Sequence, residues 1–138
     1  MDKFKLEIIT PEKIVYEDMV EFLSAPGVAG TLGILPNHAP IFAKLAQGEL
    51  KIRKDKDDIY MAIGGGFLEI TRNLVQVLVT RAINAEKLNE QEILKARQTA
   101  ETALKAKPNA DDLQAAQILL RQSLVDMQIL RRRKRKSQ

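Results

Sequence analysis

The only histidine of the chain, His38, lies in the segment LGILPNHAP at residues 32–40, between two prolines and directly after an apolar run. An imidazole that ionises near neutral pH can act as a general acid or base, or bind a metal through a ring nitrogen. A loop stiffened by prolines can equally be a docking surface, because a rigid segment loses little entropy when it binds. The segment therefore allows two interpretations, a catalytic loop or a docking surface.

The residues that would have to assist His38 in catalysis do not form a recognisable pattern. A nucleophilic pair with Ser24 would need an orienting acid that the sequence does not specify. A metal site would need carboxylates alone, because the chain has no second histidine and no cysteine. The GGG at 64–66 is not followed by GK[ST], so we interpret it as a tight turn or bulge where two backbones approach closely. We predict no catalytic residue, no metal and no cofactor.

The composition is that of a globular protein, with 138 residues, 45% hydrophobic and 29% charged. No apolar stretch approaches the roughly 18 residues needed for a membrane-spanning helix. The first residues, MDKFKLEIITPEK, alternate charged and apolar side chains and do not resemble a secretory signal. The lack of cysteine excludes disulfides. We expect a cytoplasmic location.

Short runs in which apolar and polar residues alternate fill the first part of the chain. Clear examples are FKLEII at 4–9, LKIR at 50–53 and VQVLVT at 75–80. Turn-forming sequences separate the runs, among them PGVAG at 26–30 and KDKDD at 54–58. Because no helical pattern intervenes, residues 1–84 are predicted to form a mainly β domain, an antiparallel sandwich or barrel.

The hydrophobic period changes from two to about 3.6 after residue 84. Asn89 followed by Glu92 predicts a helix N-cap, and KPNADD at 107–112 predicts a break before a second capped helix. We predict an antiparallel two-helix hairpin over residues 85–138, with part of the second apolar stripe exposed to a further partner. The predicted stripe of the second helix consists of Leu113, Ala116, Leu120, Leu124, Met127 and Leu130.

The positive charge of the chain is concentrated at its end. Residues 131–136 are all Lys or Arg, and without them the net charge of +4 would become slightly negative. Such a run is either a solvated, frayed end or an arm that binds an acidic partner. One alternative function is therefore a small binding module whose basic tail contacts nucleic acid.

GTLGILPNHAP at 30–40, GGGFLEI at 64–70 and the terminal helix pair resemble the epsilon subunit of bacterial rotary ATP synthases. In that family the first segment has the form G-x-L-G-I-x-P-x-H-A-P, and the likeness covers nearly the whole chain. The resemblance implies a ten-stranded β-sandwich joined to a two-helix domain. It further implies a non-catalytic rotor subunit that binds the gamma subunit and rests on the ring of c subunits, peripheral to the cytoplasmic face of the bacterial cell membrane.

The resemblance also implies two sets of contact residues. The segment around His38 would lie at the bottom of the sandwich, against the polar loops of the ring, and the C-terminal helices would inhibit ATP hydrolysis by extending toward the catalytic alpha and beta subunits. The implied ring-facing residues are Thr31, Leu32, Ile34, Leu35, Asn37 and His38. The implied inhibitory residues, which would meet an acidic segment of beta, are Arg121, Arg131, Arg132, Arg133, Lys134, Arg135 and Lys136.

One family feature is altered in this sequence. Some bacterial members bind ATP through a motif of the form [IL]-D-x-x-R-A at the start of the first helix, where this chain has LNEQEI at 88–93. Asn89 replaces the aspartate and Glu92 replaces the arginine, and a carboxylate at that position would repel a triphosphate. We therefore predict no nucleotide binding.

Overall fold

A computed structural model describes residues 2–137 of the chain, with side chains described for residues 2–134. Over those residues the chain forms ten strands, one short 3₁₀ helix and two α-helices. Its contacts divide it into two compact units, Met1–Asn84 and Ala85–Gln138. All the strands belong to the first unit and all the helices to the second.

The strands of the first unit join into one continuous sheet. The strands are β1 Phe4–Ile9, β2 Ile14–Val20, β3 Phe22–Gly27, β4 Gly30–Ile34, β5 Ile41–Leu45, β6 Gly48–Lys54, β7 Asp57–Ile63, β8 Gly66–Thr71, β9 Leu74–Val79 and β10 Ala82–Asn84. The hydrogen-bonded order of the sheet is β10-β7-β6-β3-β5-β8-β9-β1-β2, with β4 paired to β3 beside this path.

The alternation of apolar residues places one face of this sheet around a single core. Phe4, Leu6 and Ile8 of β1 are all buried, as are the alternate residues Leu50 and Ile52 of β6. Every strand pair is antiparallel except β1 with β9, which run parallel. The predicted β-sandwich is confirmed, and the parallel pair is an addition, because no hairpin turn fixes the direction of strands so distant in sequence.

Polar contacts reach the end of β6 from Asp18 of β2, at one end of the sheet path, and from Glu21, the residue between β2 and β3. The Glu21 N–H donates to the Arg53 carbonyl at 2.9 Å, and the Glu21 carboxylate accepts from the Asp55 N–H at 3.0 Å. The Lys54 ammonium forms an ion pair with Asp18. The hydrogen bond that Lys54 donates holds the pKa of the Asp18 carboxyl below its usual value. The Asp18–Lys54 pair joins the last strand of the sheet path to β6, and the sheet wraps around one shared core.

Two short turns connect neighbouring strands of the sheet. Arg72 and Asn73 have φ of 42° and 63°, as both central residues of a two-residue type I′ turn require, and they connect β8 to β9. The PGVAG turn is shorter than expected, because Pro26 and Gly27 belong to β3 and only residues 28–29 lie between the strands.

Gly66 confirms the predicted close approach of two backbones. A Cβ atom at this position would lie 1.9 Å from the Leu78 carbonyl oxygen and 2.8 Å from the Val79 Cα. At the adjacent Gly65, a Cβ would meet only the Leu45 carbonyl oxygen, at an ordinary 3.5 Å. Glycine at 66 is therefore required by the backbone of β9.

The helices of the second unit form the predicted hairpin. A 3₁₀ helix, Ala85–Lys87, precedes α1, Glu90–Lys105, and α2 extends over Ala110–Ser137. Asn89 caps α1 by accepting from the Glu92 N–H at 3.1 Å, and Asn109 accepts from the Asp112 N–H at 2.9 Å. The open end of the hairpin is held by an apolar cluster of Leu88, Ile93, Met127 and Leu130.

The second apolar stripe is partly exposed, as predicted. Ala116, Met127 and Leu130 are buried, whereas Leu113 and Leu124 are exposed. The exposure arises because the α2 pattern is apolar over more than one face, and a single partner helix covers only one of them. Residues 131–137 continue α2, so the basic run is helical.

The close approach at Gly66 predicts a difference between two neighbouring substitutions. Gly66→Ala should lower the free energy of unfolding by about 1–3 kcal/mol, because the new methyl group meets backbone atoms that cannot rotate away. Gly65→Ala, the matched control, should be neutral or stabilising by up to about 1 kcal/mol. Urea unfolding of both variants measures this, and equal stability would show that β9 yields to the methyl group.

Candidate functional site

The loop that contains His38 is fixed at its centre by two asparagines. Asn37 has a φ of 64°, a conformation that asparagine tolerates better than most residues, and its N–H donates to the Asn73 side-chain oxygen at 3.0 Å. The Asn73 side-chain nitrogen donates in turn to the Lys3 carbonyl at 3.0 Å. The loop is therefore braced against the β8–β9 turn and the residue before β1.

The His38 ring takes part in this local structure. Its Nδ1 lies 2.7 Å from the Ala39 carbonyl oxygen. Because a carbonyl only accepts, Nδ1 carries the hydrogen in this contact, and Nε2 is the acceptor nitrogen of the neutral ring. Within the described residues no group of three or more His, Asp or Glu side chains could hold a metal ion. The geometry suits a stiff surface loop.

The six residues expected to face the ring of c subunits have different environments. Leu35 is 60% exposed, and Thr31 and Asn37 are also on the surface. Leu32 is half-buried and packs against the core. Ile34 must be removed from the set, because its side chain is 1% exposed and belongs to the core. Since successive side chains of β4 point to opposite faces, the run could not place all its apolar residues outward.

Thr31 is also distant from the His38 loop. It pairs with Pro26 beside the β3–β4 turn, whereas Leu35 follows the other end of β4. Four residues of extended strand separate Thr31 and Leu35 by about 13 Å. The structure therefore brings together Leu35, Asn37 and His38 and leaves Thr31 near the opposite end of the hairpin.

A row of outward-facing apolar side chains, which the sequence interpretation missed, crosses four neighbouring strands; all its members are exposed except the half-buried Ile9. Phe67 of β8 is paired with Leu78 of β9, Leu78 with Ile9 of β1, and Ile9 with Ile14 of β2. Residues directly paired across a sheet lie on the same face, so the four form a continuous line about 14 Å long. We call these four residues, together with Phe42, the apolar row.

Phe42 extends the apolar row onto β5. Its ring stacks on Phe67 with centroids 5.2 Å apart, and it remains 66% exposed. Phe67, Leu78 and Ile14 are exposed as well, at 42%, 40% and 55%. A signal was present in the sequence, because Ile9 and Leu78 occupy positions where the alternation of β1 and β9 calls for polar residues. Contiguous exposed apolar surface of this kind is typical of a protein–protein interface.

The second unit presents basic side chains. Arg121, Arg131, Arg132 and Lys134 are exposed and Arg133 is half-buried, while the side chains of Arg135 and Lys136 lie outside the described residues. The Lys134 Nζ lies 3.6 Å from a carboxylate oxygen of Glu90, at the start of α1. The basic end of α2 is therefore close to the acidic first turn of α1.

The segment at residues 88–93 has a structural role in the hairpin. Leu88 packs against the apolar cluster, Asn89 is the cap of α1, and Ile93 is buried. Glu92 is exposed and supplies its backbone N–H to the cap. The side-chain oxygen of Asn89 is thus already used by the helix.

No helix within residues 2–137 combines the length and the apolar character that crossing a membrane requires. Among the surfaces described above, two stand out. The first unit has the apolar row and the loop at residues 35–40, which we call the braced loop, and the second unit has the basic end of α2.

Known proteins similar to this chain belong to one family. Residues 3–85 match the family described as ATP synthase, Delta/Epsilon chain, beta-sandwich domain. The ATP synthase epsilon chain of Herpetosiphon aurantiacus is 38% identical, with 94% of this chain and 96% of the relative covered. The epsilon chain of Desulforamulus reducens is 35% identical over 87% and 91%.

Solved structures agree on the fold. A chain of the Euglena gracilis mitochondrial ATP synthase, in a structure of OSCP, F1 and c-ring, has a TM-score of 0.68 at 16% identity and covers 99% of this chain and 82% of its own length. A chain of the Tetrahymena thermophila mitochondrial ATP synthase central stalk and c-ring has a TM-score of 0.63 at 16% identity and covers 94% and 97%. On its matched β-sandwich domain and its near full-length relatives, this chain belongs to the ATP synthase delta/epsilon chain family, as an epsilon chain.

Proposed function

We propose that this chain is a non-catalytic rotor subunit of a bacterial ATP synthase, driven by protons or sodium ions, that couples the gamma subunit to the ring of c subunits. The observation that carries the proposal is the apolar row on a member of this family, because an exposed line of large apolar side chains needs a partner. In this assignment the subunit is peripheral to the cytoplasmic face of the cell membrane and reaches the membrane only through the complex.

The two surfaces of the sandwich suit two different partners. The apolar row would bind gamma, since permanent interfaces bury large apolar side chains at their centre. The braced loop, with Leu35, Asn37 and His38, would meet the polar loops of the c-ring. Its stiffness supports this role, because a pre-ordered loop loses little conformational entropy on assembly.

The helical unit would limit ATP hydrolysis. Its exposed Leu113, Ile118 and Leu124 offer apolar surface to gamma and to the alpha and beta subunits when the hairpin extends. The basic end of α2 would then meet an acidic segment of beta. The alternative of nucleic-acid binding has weaker support, because it depends on this basic end alone.

The assignment of the braced loop predicts separate effects for two neighbouring residues. His38→Ala should change the free energy of unfolding by less than about 0.5 kcal/mol, because the imidazole lies outside the core and its hydrogen-bond partner is the adjacent Ala39 carbonyl, yet it should weaken assembly on the c-ring or coupling. Ile34→Ala, the control in the core, should cost about 2–5 kcal/mol. Thermal unfolding and proton-pumping assays of the reassembled complex measure both. Unchanged coupling with His38→Ala would remove this residue from the interface.

The assignment of the apolar row predicts that Phe42→Asp prevents binding to isolated gamma, because the carboxylate would be buried without a partner. The matched control is Val28→Asp, which adds the same charge to a side chain that is also exposed, at 59%, but lies in the β3–β4 turn, off the row. Calorimetric titration with gamma should show affinity reduced at least about a hundredfold for the first variant only. Equal losses for both variants would contradict the assignment.

The assignment of α2 predicts different effects for two truncations. Deleting residues 131–138 should relieve inhibition of hydrolysis in part and remove most of its salt dependence, because the Debye length falls from about 10 Å at 0.1 M to about 3 Å at 1 M salt. Deleting residues 85–138 should relieve inhibition fully and leave coupling intact, since the sandwich has its own core. If the shorter deletion behaves like the intact chain at every salt concentration, the basic end has no inhibitory role.

A further inference from the structure

The ion pair between Lys134 and Glu90 continues the packed face of the helix hairpin. Glu90 precedes the buried Ile93 by three residues, and Lys134 follows the buried Leu130 by four. Residues three or four apart lie on the same side of a helix, so both charged residues extend the face that forms the apolar cluster. Their contact, at 3.6 Å, lies at the open end of the hairpin, where the two helices must separate first if it extends.

The pair is accessible to solvent. The Lys134 side chain is 61% exposed and that of Glu90 is 50% exposed, so water and salt screen their attraction. An exposed pair of this kind shifts an equilibrium by a small factor, about twofold to fivefold. A contact of this strength can be exchanged for another one. If a carboxylate of a partner protein binds Lys134, the new ion pair offsets the loss of the pair with Glu90.

We propose that Glu90 is an internal substitute for the acidic partner of α2: it occupies Lys134 in the closed hairpin and has to be displaced when an external acidic segment binds. The inference deepens the proposed inhibitory function and rests on it. In the closed state, Glu90 withholds one cation of the basic end from the partner. The carboxylate therefore lowers, by about twofold to fivefold, the population of hairpins that are open and able to inhibit.

Glu92 provides a matched comparison for Glu90. Both are acidic residues in the first turn of α1, so both favour the helix through its dipole, and neutralising either one removes the same charge. Glu92 lies only two residues from Glu90, a spacing that places their side chains on different sides of the helix. An effect specific to Glu90 therefore reports the contact with Lys134 and excludes a general effect of charge on α1.

The experiment uses the full-length chain with Glu90→Gln, Glu92→Gln, Lys134→Gln and the double variant Glu90→Gln with Lys134→Gln. Hydrogen exchange of α2 amides in the isolated protein measures hairpin opening at 0.05 M and 1 M salt. Glu90→Gln should raise opening about twofold to fivefold over the intact chain at low salt and not at high salt. Glu92→Gln should raise it less, and the double variant should open no more than the single ones, because the pair is already broken.

The second measurement is ATP hydrolysis by the reassembled complex. Glu90→Gln should strengthen inhibition at low salt by the same twofold to fivefold factor, while Glu92→Gln should not. Equal opening in the Glu90 and Glu92 variants, or additive effects of the Glu90 and Lys134 changes, would overturn the internal pairing. Increased opening specific to Glu90 with unchanged hydrolysis would leave the pairing intact and overturn the proposed inhibitory function.

Discussion

The closure of one sheet around one apolar core is the constraint on which the β unit depends. Ten strands supply alternate side chains to that core, and the sheet path begins at β10 and ends at β2. The end strand β2 is joined to β6 by the Asp18–Lys54 ion pair, and the Glu21 carboxylate, just after β2, accepts from the Asp55 N–H just after β6. Closure fixes which side chains point inward, and it therefore also decides which ones remain for partners.

The apolar residues left outside the core form the surface that we assign to a protein partner. The outward-facing Phe42, Phe67 and Leu78 do not belong to the core. Strand pairing aligns Phe67 and Leu78 with Ile9 and Ile14, and ring stacking adds Phe42. The braced loop is different, because its order comes from hydrogen bonds of Asn37 and Asn73. One surface is thus defined by side-chain type and the other by stiffness, which is why we assign them to different partners.

The helical unit balances apolar packing against charge. Its hairpin is held by a small cluster around Ile93, Met127 and Leu130, and α2 leaves Leu113 and Leu124 exposed. A small cluster supplemented by a solvent-exposed ion pair opens more readily than a large core. The acidic start of α1 and the basic end of α2 then become part of one equilibrium, which links the fold of the unit to its proposed regulation.

The sequence by itself determined the β-sandwich, the helix hairpin, the caps at Asn89 and Asn109, and the close approach at Gly66, because alternation, helical period and turn chemistry are local properties. Tertiary structure alone decided the direction of strand pairing, the burial of particular side chains and the alignment of residues across the outer face. It made β1 parallel to β9 and aligned Ile9 with Leu78 and Phe67 on one outer face. It also buried Ile34, which lies in the segment expected to face the ring of c subunits. Register between distant strands depends on the whole core, so no single stretch of sequence specifies it.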